Sequence, residues 1–451
     1  AAITGESLPV DKQEGDKVFA GTLNEVGALE ILTTKVGKET TLGQIHRLIE
    51  EAQTQKPKIE RLLNQYAKVY TPIAILLGAL LWWWSGDITR AITMLIVFCP
   101  CVMVLATPTA LVASVGNAAL RGNLIKKGAT VEVMAKVDTV IFDKTGTLTH
   151  GKPKLASIIA LKNYYEKDLL FLVAIAEKFS EHPLGKAVVK AAESKGLYIP
   201  DPESFESMAG VGVRVKTNGR DIFVGRMKQI SKFNVSIPHE IEERINKKSE
   251  LGHNAVMIGI DNEIVGLLTF EDEIRPESKK SIENLHKLGI KVIMITGDNK
   301  VVAEGVAKTL DIDEVYAEVM PQEKVEIVKR LQSGGHNIIF VGDGVNDGPA
   351  LVTADVGIAM GLTGTDVAIE TAEVGLLSDD LLKIPYLINI SKKAVKTIWQ
   401  NLAFSLSVLL IAVILTIPGI LTPVTGALLH ELSSIPVIMN SARLINYKPQ
   451  N

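Results

Sequence analysis

The sequence predicts a multidomain membrane protein: an α-helical transmembrane bundle carrying a soluble α/β domain, itself split by an inserted α+β domain. Three observations predict this. Long apolar runs lie near residues 69–115 and 398–437. Between them, short β-branched runs alternate with helical patterns. The composition is mixed, with 47% hydrophobic and 22% charged residues over 451 positions and a mean hydropathy of +0.23. That is too oily for an ordinary soluble chain and too charged for a bare membrane bundle. Several domains are expected, because single cores rarely exceed ~250–300 residues. The net charge of −3 leaves no basic footprint, so no nucleic-acid partner is expected.

A membrane span needs ~20 mostly apolar residues, and four candidates are read. Residues 69–84 end in a run of tryptophans, whose amphipathic rings favour the membrane interface. Residues 91–115 hold Cys99 and Cys101, the only cysteines, on either side of Pro100. Residues 398–417 and 421–437 flank the Pro418-Gly419 turn. Lys126 and Lys127 follow the second span, and Lys392, Lys393 and Lys396 precede the third. The positive-inside rule therefore places the large intervening segment in the cytosol. Two cysteines at i, i+2 cannot build a disulfide framework, which suits a reducing compartment. The opening AAITGESLPV has no secretory pattern and is expected to lie inside a small β-rich domain.

The runs VDTVIFD, IKVIMIT and HNIIFVGD read as strands, and residues 300–310 and 322–331 as helices. This alternation predicts a parallel doubly wound sheet with its site at the strands' carboxyl ends. Residues 151–265 interrupt the pattern as an inserted domain, with Asn218-Gly219 marking a hairpin turn. The expected domains are therefore 1–45, a β-rich tail; 46–121, a stalk and first hairpin; 122–150 with 266–390, the α/β domain; 151–265, the insert; and 391–451, the second hairpin.

The chemistry concentrates at strand ends. In DKTGTLT, Asp143 stands where a strand meets a Gly/Thr turn with exposed N–H groups, a placement suited to attack on a phosphoryl group. TGD, Thr296 to Asp298, follows the next strand and can hold the transferred group. Lys324 can neutralise its charge. In GDGVND, Asp343 is placed to ligate Mg²⁺, supported by Asn346 and Asp347. Phosphoryl transfer is largely positioning and charge neutralisation. Singly these residues would pass as caps and turns. Together, and in this order, they read as one engine.

The order DKTGTLT, TGD, GDGVND resembles the P-type ATPases, whose core has the haloacid-dehalogenase-like fold. The resemblance implies that ATP transiently phosphorylates Asp143. It also implies that Lys144, Thr145, Thr296, Gly297, Asp298 and Lys324 serve the transfer, and that Asp143, Thr145 and Asp343 hold Mg²⁺. TGES, Thr4 to Ser7, resembles the actuator loop, in which Glu6 would position the hydrolytic water. SEHPLG and GVGV resemble the nucleotide-binding domain of the heavy-metal subgroup. His182 and Glu177 would then meet the adenine, with Gly210, Gly212 and Gly225 at the nucleotide. Gly225-Arg226 departs from the family's frequent Gly-Asn. The family usually has eight spans and a whole actuator domain, so the resemblance implies its C-terminal core, without the N-terminal part.

A proline inside a helix frees backbone carbonyls and lets the thiols at i, i+2 converge. Thiolates select soft or borderline ions, and polar groups within a span usually mark an ion path. Cys-Pro-Cys also matches the family's transport motif. HELSS adds His430, Glu431 and Ser434 as candidate ligands; Asn440 lies further on. Val408-Leu409 stand where the resemblance would put Tyr-Asn in copper pumps or a lysine in zinc pumps, so both metal classes stay open. The expected function is ATP-driven export of a Cu/Ag-class or Zn/Cd-class cation. Expected partners are membrane lipid, the metal and a cytosolic metal chaperone, at the plasma membrane. The alternatives are a membrane-tethered phosphohydrolase of the same fold with a structural Cys-Pro-Cys, and a metal receptor that does not pump.

Overall fold

The structure is a computed structural model. It describes residues 58–162, 164–180, 182–208, 212–225, 253–261, 263–343, 347–360 and 372–448, with scattered positions before them; the side chains of 58–70, Cys101 and Pro321 are outside this description. Glu6, Gly210 and Asn346 lie outside the described residues, as does most of the expected 1–45 domain. The chain divides into two compact units. One joins Ala1–Val140, Leu288–Ile290 and Val325–Asn451; the other joins Ile141–Lys287 and Lys291–Lys324.

The first unit holds the apolar helices. Helix α1 spans Lys58–Ser85, so the described part of the stalk and the first expected span are one continuous helix. The second span is broken into α2, Ile88–Val97, and α3, Cys101–Leu120. Pro100 has no N–H for the Ile96 carbonyl, which instead accepts from Cys99 N at 3.3 Å. Helix α4, Lys383–Thr416, starts well before the expected 398. The fourth span is likewise broken, into α5, Pro423–Leu432, and α6, Ser434–Ala442. Pro436 cannot bond back to the Leu432 carbonyl, and the break falls there. Among the described residues, two helical runs are long and apolar enough to cross a membrane, Ile88–Leu120 and Lys383–Thr416; Thr71–Ser85 is a shorter apolar stretch.

Buried polar groups tie these helices together. Asn401 Nδ2 on α4 donates to Ser441 Oγ on α6 at 2.9 Å, and that hydroxyl lies 3.0 Å from Thr109 Oγ1 on α3. At the far end of α3, Asn117 is buried, and its Nδ2 donates to the carbonyls of Leu444, Ile445 and Tyr447 at 2.6–2.9 Å. Its Oδ1 accepts from Tyr386 Oη at 2.5 Å and from Arg121 Nε at 3.0 Å. Arg121 also lies over the Tyr386 ring, and Lys393 over Tyr447.

Beyond the helices, this unit carries parallel strands. Ile338–Gly342 pairs with Val356–Ala359, which pairs with Val374–Leu376. Asn123–Ile125 closes this edge antiparallel. The strand Ile338–Gly342 is buried along its whole length, as the continuous apolar run IIFVG requires of a sheet covered on both faces.

The second unit contains the parallel pair Lys291–Ile295 and Glu314–Tyr316. It also contains a six-stranded antiparallel sheet, in order Lys154–Ala160, Glu263–Glu271, Asn254–Ile260, Arg220–Gly225, Gly212–Thr217, Ser204–Met208. Helices Glu166–Glu177 and Pro183–Ser194 cover one face through Leu169, Val173, Val188 and Ala192, against Ile222, Val224, Ile258 and Leu268. The expected Asn218-Gly219 turn is present, with φ of 50° and 70°, as a two-residue hairpin of this twist demands.

Asn117→Leu keeps the volume but takes the amide away from the Ile445 carbonyl and the Tyr386 hydroxyl, while the Leu444 and Tyr447 carbonyls keep Tyr447 N and Arg121 Nη2. Each such group costs about 1–3 kcal/mol. Thermal unfolding of the purified protein in detergent is expected to show a clearly lowered midpoint.

Candidate functional site

Asp143 ends the fully buried strand Thr139–Asp143. A continuous β-branched and aromatic run places it there, and Gly146, at φ 78°, lets the chain turn away at once. The following loop is held from below. Arg275 donates from Nε to the Thr149 carbonyl and from Nη2 to the Gly146 carbonyl, both at 3.1 Å. The Leu148 carbonyl takes Arg275 N at 3.0 Å and Ser278 Oγ at 2.8 Å. Thr149 Oγ1 donates to Asp272 Oδ2 at 2.5 Å. Arg275, Asp272 and Ser278 carry no motif and were not expected; their only sequence signal is a polar DEIRPES run directly after a strand.

Lys324 Nζ donates to Asp143 Oδ1 at 2.7 Å, with both side chains about nine-tenths buried. An ammonium placed on one carboxylate oxygen sets a buried positive charge directly beside the strand's terminal carboxylate. Lys144 is ion-paired with Asp298. Thr296 is buried; its Oγ1 accepts from Asp298 N at 3.1 Å, shaping the TGD turn, and Gly297 sits between them. The structure thus joins Asp143 to Lys324, and Lys144 to the TGD turn. Thr145 lies in the loop beside them with an extended backbone, at φ −78° and ψ 123°.

In the other unit, Asp343 directly follows the strand Ile338–Gly342. Asp347 is buried and opens the short helix Gly348–Thr353. A Cβ on Gly342 would come within 2.4 Å of Asp347 Oδ2, so only glycine lets this carboxylate fold back over the strand end. Carboxylate oxygens of this kind suit a hard cation such as Mg²⁺.

The inserted domain gathers a second group. Glu177 ends its helix, buried, and burial pushes its carboxyl above the ordinary range, opposed by a hydrogen bond from Ser180. A Cβ on Gly185 would come within 2.4 Å of Glu177 Oε2. His182 caps the helix Pro183–Ser194, with Nδ1 accepting from Leu184 N at 3.2 Å. Gly212 faces Gly225 across the sheet. Gly212 has φ 153°, and a Cβ there would lie 2.1 Å from the Val224 carbonyl. At both glycines the space a side chain would take is already filled by the domain itself, by the neighbouring strand at Gly212 and by Glu177 and Ser180 at Gly185.

The membrane helices enclose a third group. A cavity is lined by Cys99 and Met103, by Ser405, Val408 and Leu409 of α4, and by His430 and Ser433 around the end of α5. His430 Nε2 is buried there with no hydrogen-bond partner. Of the expected ligands on this helix, His430 lines the cavity; Glu431 is exposed, and neither it nor Ser434 does so. Residues i and i+3 share a helix face, which brings Ser433 in with His430 and turns Glu431 away. Cys99 is disulfide-bonded here, so thiolate chemistry at this place requires reduction. Among the described residues, no three His, Cys, Asp or Glu side chains cluster as a metal site. Ser405 and Met103 were not expected. Helical spacing from Val408-Leu409 would have found Ser405.

Residues 137–355 match the haloacid dehalogenase-like hydrolase family, and residues 1–50 match the P-type ATPase actuator domain. The chain is 39% identical, over 99% of its length, to a probable cadmium-transporting ATPase of Staphylococcus aureus (strain MRSA252), covering 64% of it. A manganese-exporting P-type ATPase of Mycobacterium bovis is also 39% identical over 99% of this chain, with 63% of it covered. A probable copper-exporting P-type ATPase V of Mycobacterium tuberculosis is 40% identical over 98% of this chain, with 58% of it covered. The chain therefore spans less than two thirds of the length of these relatives. The crystal structure of a zinc-transporting PIB-type ATPase in the E2.Pi state superposes with a TM-score of 0.73, at 32% identity, over 98% of this chain and 74% of that one.

Two outcomes are expected in the inserted domain. Gly212→Ala, forced into a left-handed backbone and against Val224, is expected to lower the unfolding midpoint, with strain of about 1–3 kcal/mol before any clash is counted. Glu177 has a raised carboxyl pKa in the folded state, so the folded state binds its proton more tightly than the unfolded chain does. Its contribution is most favourable below the ordinary glutamate value and declines as pH rises through the raised one. Thermal melts of Glu177→Gln from pH 4 to pH 8 should therefore gain on the parent as pH increases.

Proposed function

From the premise that the chain belongs to the heavy-metal P-type ATPases, we propose that it serves ATP-driven export of a soft or borderline metal cation through an aspartyl phosphate on Asp143. The observation that carries this reading is the buried Asp143–Lys324 contact at a strand's carboxyl end, on a loop immobilised by Arg275. Asp143 Oδ2 attacks the γ-phosphorus of ATP; the bond to the β-phosphate oxygen breaks and ADP leaves. Lys324 and the Thr296–Asp298 turn receive the transferred group's charge. Lys144, buried and ion-paired with Asp298, is proposed to serve the transfer beside that turn.

Asp143, Thr145 and Asp343 are the proposed holders of Mg²⁺, with Asn346 and Asp347 in support. Mg²⁺ bound there supplies charge neutralisation on the phosphates. Glu177, His182, Gly210, Gly212 and Gly225 are the proposed nucleotide site. Glu6 is the proposed residue that positions water for hydrolysis of the phosphoenzyme. In the membrane part, Cys99, Cys101 and His430 are the proposed ligands of the cargo. Glu431 and Ser434 remain proposals that the cavity lining does not support. The domain limits 1–45, 46–121, 122–150 with 266–390, 151–265 and 391–451 are kept as proposals. So are the plasma membrane as location, and lipid and a cytosolic metal chaperone as partners. The relatives are named for cadmium, manganese and copper, and the structural neighbour for zinc.

Acid-stable labelling from [γ-³²P]ATP tests the reading in the full-length protein under reductant, across Cu(I), Ag(I), Zn²⁺, Cd²⁺, Co²⁺ and Mn²⁺. Label that depends on one group of metals, vanishes in Asp143→Asn and loses its metal dependence in Cys99→Ser is the expected result. Lys324→Met is expected to slow labelling on the order of 10²-fold, the scale on which a preorganised charge contributes. Label that persists in Asp143→Asn, or that ignores every metal, would sink the proposal.

A further inference from the structure

The intramembrane cavity holds a donor outside the expected ligand set. Val408 and Leu409 line it and are apolar, so α4 offers the space only the Ser405 hydroxyl among donors. Ser405 Oγ donates to the Asn401 carbonyl at 2.8 Å, and Ser433 Oγ to the His430 carbonyl at 2.6 Å. Both hydroxyl hydrogens are thus engaged, and the oxygens present hard lone pairs. The soft and borderline donors of the described lining are Cys99, His430 and Met103. His430 brings a buried ring nitrogen with no hydrogen-bond partner. Met103 stands in the first turn of α3, immediately past the Pro100 break, and shares the cavity with Cys99.

We propose that Met103 is a specificity-determining ligand, its thioether joining reduced Cys99 and His430 Nε2 around the cargo and favouring a soft monovalent ion, Cu(I) or Ag(I). This deepens the export reading and rests on it. A thioether is neutral and polarisable. It binds soft d¹⁰ monovalent ions and adds little for Mn²⁺, Co²⁺ or Zn²⁺, which draw their affinity from anionic and harder donors. It also needs no deprotonation, so it is available in the cavity without adding a buried charge. The competing role for a methionine here is to fill a gap in the packing. Met103→Leu separates the two, because it conserves volume and apolarity while removing the sulfur.

The test uses full-length protein under reductant, with the parent, Met103→Leu, Met103→Cys and Cys99→Ser. Cu(I) affinity is read by competition with a chromophoric chelator, and Zn²⁺ affinity in parallel. Met103→Leu is expected to weaken Cu(I) binding about tenfold or more while moving Zn²⁺ far less, and Met103→Cys to recover Cu(I) binding by returning a sulfur. Equal loss for both ions, or no change in either, overturns the inference. If those results accompany lost binding in Cys99→Ser, the export reading stands and only Met103's role falls. If Cys99→Ser binds both ions like the parent, both proposals fall together.

Discussion

A backbone carbonyl in an apolar environment must find a donor within the protein, and Pro100 denies the Ile96 carbonyl its usual one. The arrangement of the membrane helices follows from how that deficit is met. Cys99 N takes the carbonyl instead, the helix stops at Val97, and a new one starts at Cys101. The break turns Cys99 and Met103 toward a common space. Pro436 repeats the device opposite, where α5 ends and α6 begins, and His430 and Ser433 face the same cavity. Two helices interrupted by proline thus line a pocket that carries polar groups. Such interruptions are tolerated at membrane depth where they line a cavity.

The loop after Asp143 obeys a related rule outside the apolar helices. A tight turn after a buried strand exposes carbonyls that no regular ladder can satisfy. Arg275, Ser278 and Asp272 take up those of Gly146, Leu148 and Thr149, or the Thr149 hydroxyl itself. The loop is therefore rigid at its base, and Asp143 is fixed at its start. Lys324 supplies the compensating charge, because two ionised groups so deeply buried persist only as a hydrogen-bonded pair.

What could be read from the sequence was what is local. The strand before DKTGTLT, the helix at Lys300–Leu310 and the Asn218-Gly219 hairpin each lie where periodicity or turn chemistry put them. The helix breaks were harder, because composition alone does not tell a proline that kinks a helix from one that ends it. Pro72 and Pro108 stay inside helices, whereas Pro100 does not. Site residues joined by long-range contacts were illegible. Arg275 meets its loop across more than a hundred residues, and Asn117 meets Tyr447 across more than three hundred. His430 was visible as a ligand candidate, while its neighbour Glu431 was read beside it only because sequence adjacency hides the 100° turn between helical neighbours.

The clasp around Asn117 has a mechanical consequence. The helix that starts at the cysteine motif ends in hydrogen bonds to the backbone of Leu444, Ile445 and Tyr447, and through Tyr386 to the first turn of the long helix beside it. Backbone carbonyls cannot be re-aimed independently of the chain that bears them. A piston-like shift or roll of the cysteine helix must therefore carry the segment 444–447 and the base of α4 along as a single linkage, or break the clasp altogether. Force delivered at that end has two well-defined outcomes, and little compliance between them.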